Sequence, residues 1–149
     1  LGRACGDAKR RHVMALYHLW RGLAGYIAAQ NIEVLFGVAS FHGTDPQVYA
    51  QSLSYLHHNT LADAGLRPVA RAQAYQSMNL FEKELIERRK AMVQVPALIK
   101  AYLKLGGCVG DGAYIDHACN TIDICLVVDV AKMNTRQKSL YSKQFASET

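Results

Sequence analysis

The last third of the chain carries the pattern that most constrains its fold. Two apolar-rich segments, Cys108 to His117 and Thr121 to Val130, are separated only by residues 118–120. Two runs of this kind joined by so short a link predict an antiparallel β-hairpin. A short apolar segment precedes the hairpin. It opens at Pro96 and stops at Gly106-Gly107, which predicts a helix with proline in its first turn and glycine at its end.

Upstream of the hairpin, the pattern predicts a helix, a strand and a second helix. From Met14 to Gln30 the apolar residues recur at the spacing of one helix face. Val34 to Phe41 is an apolar run that predicts a strand buried on both faces. Gly43 to Pro46 predicts a turn and a helix start, and that helix runs to about Leu61. Residues 64–78 predict a loop with one strand, and residues 134–145 a weak helix or tail. A helix followed at once by a buried strand predicts a layered α/β (α+β) fold.

Three segments in the same order carry a family resemblance. They read LFGVASFHGTDP from Leu35, SLSYLHH from Ser52, and LIKAYLKLGG followed by the hairpin from Leu98. In these segments the chain resembles the ornithine N-acyltransferases that use acyl carrier protein, often labelled hemolysin-like. These are members of the GNAT acyltransferase superfamily. The resemblance extends from Leu1 to about Val130 and implies a GNAT-like acyltransferase fold.

The resemblance also implies that residues 1–149 form a single domain or a fragment, the C-terminal portion of a longer GNAT-like domain whose N-terminal strands are missing. Leu1-Gly2-Arg3 resembles the end of a central strand that reads Glu-Leu-Gly-Arg in the family. Many superfamily members use a Glu on that strand as the base, and here it would lie immediately before Leu1. The catalytic residue is therefore unassigned, and the isolated fragment is expected to lack full activity. The alternative is a trimmed form of a different small protein.

Composition limits the class of protein. The chain has 149 residues, half of them hydrophobic, which suits one domain. No apolar run reaches the roughly 18 residues that span a bilayer. Cys5, Cys108, Cys119 and Cys125 stand singly, which predicts reduced thiols and no metal site. The net charge of +5 favours acidic partners, but no nucleic-acid motif appears. We expect a cytoplasmic protein, with peripheral contact at the inner membrane.

The donor site is implied by the resemblance. In the superfamily, a turn of pattern Gln/Arg-x-x-Gly-x-Gly/Ala before a helix cradles the pyrophosphate of the donor. Residues 10–15 align with this turn, and Arg10 and Ala15 fit the pattern. Lys9, Arg10 and Arg11 are the implied donor-binding residues, unless they form only a solvated basic turn. Val13 stands where glycine is expected, and its side chain hinders a phosphate. That departure disfavours coenzyme A and favours acyl carrier protein, whose phosphopantetheine thioester is then the donor substrate, with no separate cofactor.

The resemblance places the loop from Ser40, after the next strand, beside the acyl thioester. Ser40 is therefore the last predicted donor-binding residue. His42 in the same loop is a candidate base, because a histidine titrates near neutrality.

The acidic hairpin predicts the acceptor site. Asp111, Asp116 and Asp123 are carboxylates that could pair with the side-chain ammonium of a cationic amino acid such as ornithine. Asp116 is the first choice, because it is predicted to lie mid-strand. Asp111 lies between two glycines, so a turn role is the alternative.

The predicted function follows from the resemblance. It is transfer of a long fatty acyl group from acyl carrier protein to the α-amino group of ornithine, in the synthesis of lyso-ornithine lipid. Two alternatives stay open. One is an N-acyl amino acid synthase with another acceptor. The other is a non-catalytic module that binds carrier proteins or membranes.

Overall fold

The computed structural model describes residues 22–133. The helices are residues 22–29 (α1), Ala50–Thr60 (α2), Arg88–Gln94 (α3) and Ala97–Lys104 (α4). The strands are Val34–His42 (β1), Tyr75–Gln76 (β2), Cys108–Val109 (β3), Ala113–Asp116 (β4) and Thr121–Asp129 (β5). Short 3₁₀ turns lie at Pro46–Tyr49, Ala64–Leu66, Ala72–Ala74 and Lys83–Leu85. This mixture of helix and antiparallel strand confirms the α+β class.

The strands form one antiparallel sheet in the order β1-β5-β4-β2, with β3 also paired to β5. The β4–β5 hairpin confirms the pairing predicted from the sequence. Its first strand, predicted as continuous, is broken into β3 and β4 by residues 110–112. Gly112 has φ +76, which interrupts a regular strand. The backbone of Asp111 pairs instead with the loop at Pro68, whose carbonyl accepts a 2.8 Å hydrogen bond from its N–H.

The helices α2 and α4 pack on one face of the sheet, here called the core face. Its buried side chains come from α2, α4, the three longer strands and the loops between them: Ala39, Phe41, Leu53, Leu56, Met78, Val95, Ile99, Val109, Ala113, Ile122, Ile124 and Leu126. Two serines of α2, Ser52 and Ser54, are also fully buried. Both are hydrogen-bonded to backbone carbonyls, of Ala91 and Met78 respectively, as buried polar groups require.

The prediction that β1 is buried on both faces is wrong. Its residues alternate, so that Leu35, Ala39 and Phe41 are buried while Phe36 and Val38 are 66% and 63% exposed. In the described part of the chain β1 lies at one edge of the sheet, and the helices that bury its core-facing residues pack on the core face only. The apolar run therefore places hydrophobic side chains on an accessible surface.

The predicted helix starts are confirmed. Asp45 accepts a hydrogen bond from the backbone N–H of Gln47 at 3.0 Å, and Pro46 opens a 3₁₀ turn that leads into α2. The helix that follows Pro96 is α4, and it ends before Gly106, which has φ +91. Among residues 22–133, no helix has the length and apolar character needed to cross a membrane.

Candidate functional site

The face of the sheet opposite the core carries a two-dimensional grid of side chains, here called the outer face. Strand register sets its rows, since directly paired residues point to the same side. From the hairpin end, the rows are His42–Thr121–Asp116, Ser40–Asp123–Tyr114, Val38–Cys125 and Phe36–Val127–Cys108. The first two rows are polar and the last two are apolar.

The two polar rows meet at a short hydrogen bond. Ser40 Oγ donates to Asp123 Oδ1 at 2.6 Å, and the two residues are direct partners in the β1–β5 pairing. Sequence reasoning assigned Ser40 to the donor side and Asp123 to the acceptor side. The structure places the two residues in contact, so the predicted donor-side residue and the predicted acceptor-side residue lie at one location. Bonding to a hydroxyl leaves the carboxylate with further lone pairs for a cationic ligand.

Asp116 lies on the same face, but its carboxylate bonds to the hairpin turn. It is the last residue of β4, not a mid-strand residue as predicted, because the chain turns at residues 117–120, where Asn120 has φ +53. Its Oδ1 accepts a 2.9 Å hydrogen bond from the backbone N–H of Cys119 in the hairpin turn. As a diagonal neighbour of Asp123 across the β4–β5 pair, it lies roughly 7–8 Å from it. The carboxylate can add negative potential while holding the turn.

Asp111 does not join this group. It lies in the break between β3 and β4, where its backbone pairs with residues 68–70 and its Oδ1 accepts a 3.3 Å hydrogen bond from Tyr75 Oη. Burial, and then the charge and hydrogen bond of Asp111, raise the pKa of Tyr75. The turn role that the sequence left open for Asp111 is the one observed. Lys9, Arg10, Arg11 and Val13 lie outside the described residues.

A second group of titratable side chains lies at the end of α2. The rings of His57 and His58 are 5.2 Å apart in an edge-to-face arrangement, and His58 Nε2 lies 3.1 Å from the carbonyl oxygen of Phe81. Burial, and then the neighbouring His58, lower the pKa of His57, whose Nδ1 is buried with no hydrogen-bond partner. The helix α2 that carries this pair packs on the core face, whereas Ser40 and Asp123 lie on the outer face, so the two histidines do not belong to the Ser40–Asp123 group.

The outer face also carries residues that sequence reasoning did not assign. Tyr114 is paired directly with Asp123, and Val38 with Cys125. Because side chains alternate along a strand, the sequence of β1 alone could have placed Phe36, Val38 and Ser40 on one face. Their neighbours on β5 can be identified only from the register of the strand pairing. Cys119 is exposed, whereas Cys108 and Cys125 are partly buried. Among residues 22–133, no cluster of three or more His, Cys, Asp or Glu side chains is arranged to hold a metal ion.

Known proteins match the chain closely over nearly its whole length. It is 47% identical over 144 residues to the "L-ornithine N(alpha)-acyltransferase" of Rhodobacter capsulatus. It is 38% identical over 144 residues to the protein of the same name in Brucella abortus, and 38% identical over 141 residues to that of Agrobacterium fabrum. These matches cover 97%, 97% and 95% of the chain, and they confirm the resemblance seen in the sequence.

The matches cover less of the relatives themselves. The chain spans about half of their length: 55%, 51% and 48% for the three proteins above. The matched region is the C-terminal part of each. No protein-family model and no solved structure matches the chain.

Proposed function

We propose, since this chain is a homologue of the L-ornithine N(alpha)-acyltransferases, that it takes part in N-acyl transfer to the α-amino group of ornithine. The observation that carries the proposal is 47% identity over 97% of the chain to a relative of that name. The outer face supplies chemistry that suits the acceptor. It combines an accessible carboxylate, a hydroxyl and a histidine on adjacent positions of two strands.

Asp123 is the residue that we assign to the acceptor. Ornithine carries two amino groups, and only the α-amine is acylated in the proposed reaction. A carboxylate that pairs with the side-chain ammonium would fix the molecule at one end and leave the α-amine directed elsewhere. Ser40 holds that carboxylate in one orientation through the 2.6 Å hydrogen bond. It acts on the acceptor through Asp123, so it is a positioning residue.

The reaction needs a neutral amine and a leaving thiol. The amine nitrogen attacks the thioester carbonyl carbon, the C–S bond breaks, and the proton lost from nitrogen ends on the thiolate sulfur. His42 is a diagonal neighbour of Asp123 on the outer face, roughly 7–8 Å away. It is exposed, and it is the base candidate among the described residues of the grid.

The proposed donor is a fatty acyl group on acyl carrier protein, and the proposed product is the lyso-ornithine lipid. The basic Lys9–Arg11 segment suits an acidic carrier protein. Val13 at the position of the phosphate-turn glycine argues against coenzyme A. The donor is therefore read from the sequence, whereas the acceptor assignment also rests on the outer face.

The test is direct detection of N-acylornithine by mass spectrometry. Two proteins are supplied with ornithine and a hexadecanoyl thioester, on acyl carrier protein or on coenzyme A. One is the chain itself. The other is a chimaera in which the chain replaces the matching part of the Rhodobacter capsulatus relative. Product from either protein supports the proposal, and a higher kcat/KM with the carrier protein supports the donor. An inactive chimaera beside an active Rhodobacter capsulatus parent would contradict the proposed function.

A further inference from the structure

Along the outer face, the side chains of both β1 and β5 change from polar to apolar. On β1 the same-side residues run His42, Ser40, Val38 and Phe36. On β5 their partners run Thr121, Asp123, Cys125 and Val127. Polar faces polar and apolar faces apolar at every step, so the change is a property of the surface, shared by both strands. Successive rows are about 6.6 Å apart, since a strand advances about 3.3 Å per residue.

The apolar half of this surface is accessible on the β1 side, whereas Val127 on β5 is only 5% exposed. Val38 is 63% exposed and Phe36 is 66% exposed, although both belong to a regular strand of the sheet. Val34 is the next residue of β1 on the same side. It lines an apolar groove against α1, together with Ile27, Ile32 and Val130. The apolar residues of β1, here called the apolar strip, therefore lead from the Ser40–Asp123 contact to this groove, a distance of about 20 Å along the strand. At the groove, Val34 is paired with the acidic Asp129 of β5.

We propose that this strip binds the acyl chain of the N-acylated amino acid, with the alkyl tail lying over Val38 and Phe36 toward the α1 groove. The inference rests on the proposed function and deepens it, because it assigns the residues that select the acyl chain. The order of chemical groups along the ligand matches the order of the side-chain rows along the outer face. An N-acylornithine has a cationic end followed by an alkyl chain, and the outer face has a carboxylate at Asp123 followed by apolar rows.

Charge is the observation that selects this occupant over a second copy of the chain. A symmetric pairing of two outer faces would bring Asp123 or Asp116 of both copies into the same interface, and like charges in contact oppose association. A ligand with an ammonium at one end meets the carboxylate with the opposite charge. Its alkyl part removes apolar surface at Val38 from water, which is favourable in proportion to the area covered.

The first test is photo-crosslinking on the full chain. The probe is an N-hexadecanoylornithine that carries a diazirine in the distal half of its alkyl chain. We expect labelling on β1 and β5 at Phe36, Val38 or Cys125, and loss of that labelling when unlabelled N-hexadecanoylornithine is in excess. Labelling that persists in excess competitor, that falls equally on an exposed apolar residue elsewhere such as Val93 (74% exposed), or that misses β1 and β5 would overturn the inference.

The second test is acyl-chain selectivity in whichever protein forms N-acylornithine. Val38→Asp places a charge on the strip, and Phe36→Asp serves as a second variant at the next row. We expect each to lower the ratio of kcat/KM for hexadecanoyl over butanoyl donors by about tenfold, because a charge on the strip opposes burial of the longer chain. Val93→Asp, the matched control on α3, should leave the ratio unchanged.

The outcomes separate the two proposals. If no form of the protein yields N-acylornithine, the proposed function fails. If the product forms while the selectivity ratio of both variants equals that of the parent, only the acyl-strip assignment fails. Sedimentation of the parent and of Val38→Asp completes the test. A dimer that dissociates in the variant would assign the strip to a second copy and overturn the inference.

Discussion

Ser40 and Asp123 are 83 positions apart in the chain, yet the serine hydroxyl donates a 2.6 Å hydrogen bond to the aspartate carboxylate across the β1–β5 pairing. The contact joins the strand that follows α1 to the second strand of the C-terminal hairpin. It therefore links two of the three segments that carry the family resemblance. It also fixes a carboxylate on an accessible face, where a cationic ligand can reach it.

Ser54 is predicted to be the polar side chain whose loss most destabilises the fold. Its hydroxyl donates to the Met78 carbonyl at 3.1 Å and accepts from the N–H groups of Leu80 and Phe81, both at 2.9 Å. Ser54→Ala removes these three hydrogen bonds. The Leu80 N–H keeps its 3.1 Å hydrogen bond to the Met78 carbonyl, but the partly buried Phe81 N–H loses its Ser54 acceptor, so the free energy of unfolding should fall by about 1–3 kcal/mol.

Chemical denaturation of the parent and the Ser54→Ala variant measures this loss. Asn59→Ala is the control, because the exposed Asn59 bonds only to its own helix at the Tyr55 carbonyl. It should change the unfolding free energy by no more than about 0.5 kcal/mol. Equal effects of the two substitutions would show that the Ser54 contacts do not hold the loop.

Gly110 is predicted to be intolerant of any side chain. A Cβ atom there would lie 2.6 Å from the carbonyl oxygen of Pro68, a backbone atom that cannot move aside without disturbing the loop. Gly110→Ala should therefore destabilise the protein by about 1–3 kcal/mol. Gly65→Ala is the matched control. Nothing lies within 4 Å of its Cβ position, so it should be neutral or stabilising by up to about 1 kcal/mol. Thermal unfolding that ranks the two variants in the opposite order would contradict the observed packing.

His57 should make the fold less stable in acid. Burial lowers its pKa below the ordinary value of 6.5, as do the neighbouring His58 and Arg67, while Asp111 acts in the opposite direction. The unfolded chain then binds the proton more tightly than the folded one. Stability is unaffected above pH 6.5 and falls as the pH decreases below it, until the folded pKa is passed.

Urea unfolding over this pH range tests the effect of His57. The parent should lose more stability on acidification than His57→Gln does. Parallel curves for the two proteins would remove His57 from the account.

The basic segment near the start of the chain is predicted from sequence to bind the carrier protein. Reversal of Arg10 and Arg11 to Glu should weaken binding of acyl carrier protein, and binding by the parent should fall steeply with salt. Calorimetric titration at low and high salt measures both effects. Equal affinities of the parent and the double variant would remove this segment from the donor site.

Local pattern predicted much of this fold. The hairpin, the helix stop at Gly106 and the Asp45–Pro46 helix start are encoded within a few residues, so they follow from turn and capping chemistry alone. The exposure of Phe36 and Val38 was not predictable in this way. An apolar run shows that side chains are hydrophobic, whereas the face that the helices cover is decided by distant elements.

The candidate site was predicted only in its parts. Ser40 and Asp123 were both named from sequence, but their contact depends on a strand register that no local pattern encodes. Asp116 was preferred because one continuous strand was expected. The turn at residues 117–120 places it at the strand end, where its carboxylate accepts a hydrogen bond from the Cys119 N–H. The side chain that lies mid-strand on the accessible face is Asp123.

The most direct test of the central claim compares two acceptors that differ by one amino group, ornithine and norvaline, in the active protein and in its Asp123→Asn variant. The substitution keeps the shape of the side chain and removes its charge. It should lower kcat/KM for ornithine by about ten- to a hundredfold, the value of a charge-assisted contact, and change kcat/KM for norvaline much less. Equal losses for both acceptors, or no loss for ornithine, would contradict the assignment of Asp123 to the ammonium of the acceptor.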